Sequence, residues 1–120
     1  MMQANPYTAE TPITIGGQQC ALVFGWKALA QIYAECGPDA INNTFKKSTM
    51  WTQSPDTYAK MVHAGLKEKH ADITLDQVFA GLPPFAIVVE ILTTALLLAY
   101  FGSEGPQPSE NSTDDDSKKN

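Results

Sequence analysis

At 120 residues the chain is sized for one domain with its own core, and its 43% apolar content excludes a sequence too polar to fold. The net charge of −5 is uneven, with five acids against two lysines in residues 103–120. All eight basic residues are lysines, so the arginine forks and basic stripe of a nucleic-acid-binding protein are both missing.

Residues 1–10 are polar and read as a flexible N-terminus. They hold neither a basic n-region nor an apolar h-region, so the expected compartment is the cytoplasm. In Thr11-Pro12-Ile13-Thr14-Ile15 the isoleucines alternate with a polar residue, and Cys20, Leu22 and Phe24 alternate in the same way. Gly16-Gly17 lies between the two runs, which is the pattern of a β-hairpin. A two-stranded hairpin is marginal alone, so it should lie on helices.

From Trp26 the period changes. Trp26, Leu29, Tyr33 and Cys36 fall at helical spacing, and Gly37-Pro38 stops the helix. Trp26 is therefore expected in the core. Ile41 and Phe45, four apart, mark a short helix. Ser54-Pro55-Asp56 combines a capping side chain, a proline at the first helical position and an acid in the first turn. Tyr58, Met61, Val62 and Leu66 follow on one face, with Lys60, Lys67 and Glu68 outward. Thr74 and Gln77 fit a capping box, with Leu75, Val78, Phe79 and Leu82 on one face behind it. Pro83-Pro84 breaks that helix and can seed the next, Phe85 to Phe101.

The last helix is the most apolar stretch. Its seventeen residues reach about 25 Å, against roughly 30 Å of bilayer hydrocarbon. Glu90 lies inside it, Thr93 and Thr94 continue one polar stripe, and neither end has an anchoring Lys or Arg nearby. These features favour a core or interface helix over a membrane span. Its apolar surface exceeds what the other elements need to cover, which predicts self-association or a hydrophobic client. After Gly102 the composition turns to Ser, Pro, Asn, Asp and Lys, the signature of a disordered acidic tail over residues 103–120.

Catalytic and metal-binding constellations are absent from the sequence. His63 lies opposite the Tyr58/Met61/Val62 stripe and reads as solvated. His70 is seven residues further on, which is not zinc-ligand spacing. Cys20 and Cys36 are too few for a secreted disulfide framework, and both sit at apolar-periodic positions, as buried small hydrophobes do. Cys36 has no local partner for nucleophilic chemistry. Gly16-Gly17 lacks the Lys-Ser or Lys-Thr of a phosphate loop, and Asp114-Asp115-Asp116 reads as a solvated acidic run. Trp51, beside Met50 in a polar stretch, is a candidate interface residue. The chain therefore reads as a mainly α (α+β) domain over 11–102, a short N-terminal β-hairpin followed by about four helices. It is expected to be no enzyme and to use no cofactor and no metal.

The order of these pieces resembles the tail assembly chaperones of long-tailed bacteriophages. The resemblance covers roughly residues 11 to 100. It rests on Ile13-Thr14-Ile15-Gly16-Gly17-Gln18, on Leu22-Val23-Phe24-Gly25, on a helix with Leu29 and Tyr33 ending at Gly37, on Ala64-Gly65-Leu66, and on Ile73 to Val78. It implies a protein of the infected host cytoplasm that binds the aggregation-prone tape measure protein, keeps it soluble, and helps recruit tail tube subunits. It also implies a possible longer form made by ribosomal frameshifting, for which Lys118-Lys119 marks a candidate slippery site. The partner-binding residues expected are Trp51, Ile87, Ile91, Leu92 and Leu98, together with a possible homo-oligomer. The alternatives are a small virion tail structural protein and a small holin-like membrane protein. The apolar last helix and the acidic tail both depart from the family pattern.

Overall fold

The computed structural model describes residues 10–102; the expectations for residues 1–9 and 103–120 lie outside the described residues. Two strands, β1 (Thr11–Ile15) and β2 (Gln18–Leu22), pair antiparallel in the register Thr11 to Leu22 and Ile15 to Gln18. Gly16 and Gly17 make the two-residue turn at φ 58° and 83°, the left-handed values a hairpin turn of this length requires. The hairpin places Ile13, Ile15, Cys20 and Leu22 on its buried face, as the alternation predicts.

Six helices follow: α1 (Trp26–Cys36), α2 (Ala40–Phe45), α3 (Lys47–Met50), α4 (Pro55–Leu66), α5 (Leu75–Gly81) and α6 (Phe85–Phe101). Four are the helices read from the sequence, α2 is the short one around Ile41, and α3 is a single turn that the sequence reading missed. Ser54 caps α4 by accepting the Asp56 N–H at 3.1 Å. Thr74 and Gln77 form the reciprocal capping box of α5, at 2.8 and 3.2 Å.

The central helix is α4. Tyr58, Ala59, Met61, Val62, Ala64, Gly65 and Leu66 are all buried in it. It packs against β2, α1, α5 and α6, and each large apolar side chain so enclosed contributes about 1.5–3 kcal/mol. The more apolar α6 lies at the edge of the fold, against α4, α2 and β1.

Two glycines let the hairpin meet the helices at backbone distance. The Val23 N–H donates to the Gly65 carbonyl at 2.8 Å, and the Gly16 N–H donates to the Gly81 carbonyl at 3.0 Å. Both acceptors lie in last helical turns, where carbonyls have no partner within the helix. A Cβ on Gly65 would come within 2.6 Å of the Phe24 ring, and a Cβ on Gly81 would collide with the Gly16 backbone.

Four sequence expectations are corrected. Trp26 is not core: it is 92% exposed. The core-facing side of α1 is Ala28, Leu29, Ile32 and Cys36, so Leu29 and Cys36 of the expected line pack on the core while Trp26 and Tyr33 are exposed. Phe24 enters the core just before Gly25, and this sets the rotation at which α1 starts. Phe79 is exposed, because only Val78 of its stripe turns fully inward. His63 is half-buried, since the chain after α4 folds back and sets the Ile73 carbonyl 3.0 Å from its Nε2.

Ala normally replaces Gly in a helix with a gain of about 1 kcal/mol. Gly65→Ala is expected to reverse that sign, destabilising by about 1–3 kcal/mol through overpacking against Phe24. Urea denaturation of Gly65→Ala, Phe24→Leu and the double variant checks this, with the double variant recovering part of the loss.

Candidate functional site

The surface is built on α6, which is apolar on both sides. Its inner line is Val88, Val89, Leu92, Ala95 and Leu96, all buried. Its outer line runs Ile87, Ile91, Thr94 and Leu98 at i, i+4, i+7 and i+11, and Phe101 ends it. Ile87 and Phe101 are exposed, and the other three are half-exposed. A helix confined to a core has no need of this second apolar line.

Three of the four α6 residues expected to bind a partner, Ile87, Ile91 and Leu98, lie on this outer stripe. Leu92 does not. It points the opposite way with 0% exposure, so it is corrected from a contact residue to a core residue. At 100° per residue, positions 91 and 92 face different sides, and only the packing of α4 and α2 decides which is inner.

Trp51 is exposed at 55%, as expected. The Tyr58 hydroxyl donates to the Met50 carbonyl at 2.7 Å and pins the end of α3. Tyr58 stacks edge-on against Phe85 at 5.3 Å, and Phe85 lies 6.1 Å from the Trp51 ring. Trp51 is thus held beside the start of α6. With Met50, Ala86, Val89, Glu90, Thr93 and Thr94 it lines a shallow depression of about 410 Å³. Glu90 is exposed there, so its carboxylate keeps its water, and the Thr93 hydroxyl is spent on the Val89 carbonyl at 2.8 Å.

The sequence reading missed a second apolar feature. A groove of about 640 Å³ opens between the start of α1 and the end of α6. Its walls include Trp26, Leu29, Ala30, Tyr33, Tyr100 and Phe101. Gly102, at φ 75°, donates its N–H to the Leu98 carbonyl and closes α6 there. The Tyr33 hydroxyl and burial together push the Tyr100 phenol above its ordinary value, burial being the larger cause. The signal was present in the sequence as the Trp26/Leu29/Tyr33 spacing, assigned there to the wrong side of α1.

Among the described residues, no three His, Cys, Asp or Glu side chains gather where one metal ion could be held. His70 accepts the Ala21 N–H on Nε2 at 3.0 Å, tying β2 to the turn after α4. Burial raises the Cys36 thiol above its ordinary 9.0, against a smaller lowering by the Lys60 ammonium; Glu35 and Asp56 raise it further. Its Sγ faces the Thr57 carbonyl at 3.8 Å. No helix among the described residues is long and apolar enough to cross a membrane. No known protein family, curated protein or solved structure matches the chain.

A raised thiol pKa leaves less thiolate at neutral pH, and the thiolate is the reacting species. Cys36 in the native protein is expected to alkylate with iodoacetamide at pH 7 about ten-fold or more slowly than in denaturant. Its native rate should climb as pH rises past 9.0. Mass spectrometry of timed samples checks both, and buried Cys20 should stay slower still.

Proposed function

We propose that the chain is a non-catalytic tail assembly chaperone acting in the host cytoplasm. It shields an apolar segment of the tape measure protein and helps recruit tail tube subunits around it. The observation that carries this reading is the outer stripe of α6. Ile87, Ile91 and Leu98 repeat at the spacing that receives an amphipathic helix, Ile91 also packing against the core on its inner flank. The order of hairpin, α1, α4 and α5 supports the same reading through the family resemblance.

The stripe from Ile87 to Leu98 is about 16 Å long at helical rise, three turns of a helical client. Contact is by burial of apolar side chains, about 25 cal/mol for each Å² removed from water. Such contacts are non-directional, and they suit a client offering many similar apolar segments along its length. Trp51 extends the surface on the Glu90 side of α6.

The test is co-expression with the tape measure protein encoded downstream, followed by separation of soluble and insoluble fractions. The wild-type chain is expected to carry the client into the soluble fraction and to co-purify with it. Ile87→Ser/Ile91→Ser/Leu98→Ser is expected to stay folded yet leave the client insoluble. Leu92→Ala should instead lower stability by about 2–5 kcal/mol, as a core truncation does. A client that stays equally soluble with the triple variant would remove the stripe from the reading. Recovery of the chain in purified particles would favour a tail structural component over a chaperone.

A further inference from the structure

The groove between α1 and α6 adjoins the client stripe at Phe101 and carries a projecting side chain of its own. Trp26 stands at its rim with 92% of its surface in water. A tryptophan so exposed costs hydration free energy in the monomer, and tryptophan is the residue type most enriched at interface hot spots. The same residue is thus a projecting apolar knob beside an apolar hole. The hole is about 640 Å³, floored by the small Ala30 and walled by Leu29, Tyr33, Ala99, Tyr100 and Phe101.

We propose that a second copy of this chain docks on this groove, the two copies related by a two-fold axis, with each Trp26 indole entering the other's groove. Knob and hole lie on one patch, so a single two-fold operation forms both contacts together. A second copy buries both indoles and both grooves in one step.

The area is sufficient. Aromatic side chains bury about 150–250 Å² each, so Trp26, Tyr33, Tyr100 and Phe101 at their observed exposures present roughly 500 Å² per copy. Two copies then bury at most roughly 1,000 Å², the size of a weak, reversible interface. The electrostatics permit it. The groove lining holds no Asp, Glu, Lys or His, so no charge is stripped of water on docking.

The inference does not depend on the identity of the client. The experiment is sedimentation velocity of the full chain across a concentration series spanning about 1 to 300 μM, wide enough to populate a weak dimer. The wild-type chain is expected to pass from monomer to dimer. Trp26→Ser removes the knob, and Ala30→Arg fills the hole while leaving Trp26 in place. Each should weaken the dimer at least ten-fold with an unchanged circular dichroism spectrum. Phe79→Ser removes an equally apolar exposed side chain on α5, outside the groove, and should leave the dimer unchanged. Both groove positions are exposed, so neither substitution disturbs the core. A wild-type chain that stays monomeric throughout overturns the proposal and leaves the groove to another protein or to the residues after Gly102. A dimer that survives both groove variants, or that weakens equally with Phe79→Ser, also overturns it.

Discussion

The fold depends on how closely the hairpin approaches the ends of α4 and α5. Two strands alone cannot bury enough surface to persist, and their outer amides would otherwise face water. Here those amides find the orphan carbonyls at helix C-termini: Val23 to Gly65, and Gly16 to Gly81. His70 supplies a third acceptor, for Ala21. Each bond satisfies a backbone group on one or both sides that would otherwise cost free energy to bury. Glycine at 65 and 81 is the condition, because a Cβ at 81 would collide with the Gly16 backbone and one at 65 with the Phe24 ring. With the hairpin seated, Phe24 enters the core, Gly25 starts α1, and the rotation of α1 is set.

That rotation decides what the surface looks like. α1 carries two overlapping apolar lines, and packing Ala28, Ile32 and Cys36 inward turns Trp26, Ala30 and Tyr33 toward the end of α6. α6 has the same duality along its whole length. Its inner line completes the core laid down by α4, and its outer line is left over. The apolar content that the sequence concentrates in α6 therefore exceeds what its packed face uses, and Ile87 and Phe101 are left exposed.

Much of the architecture was legible in the residues. The Gly16-Gly17 turn, the Ser54-Pro55-Asp56 start and the Thr74/Gln77 capping box are local chemistry, and each formed where its pattern lies. The candidate surface was legible only in part. Ile87 is exposed and Leu98 half-exposed, Ile91 packs partly on the core, and Leu92 and Trp26 exchanged places relative to expectation. Apolar periodicity finds a stripe but has no means of choosing between two stripes on one helix, because that choice is made by partners distant in sequence. The groove was hidden for the same reason, since its walls come from residues 24–33 and 99–102. The contacts at Gly65 and Gly81 leave no sequence pattern of their own, because a glycine in a helix looks the same whether it is crowded or free.

The hairpin's bonds also order events in time. Its residues are the first of the domain to leave the ribosome, yet Ala21 waits for His70, 49 positions later, and Gly16 waits for Gly81. At roughly 5–20 residues per second, that separation is several seconds of synthesis. For most of that interval α4, the helix that covers β2, is incomplete, and α5 and α6, which cover β1, come later still. The N-terminal strands are thus held in place only by segments made long after them.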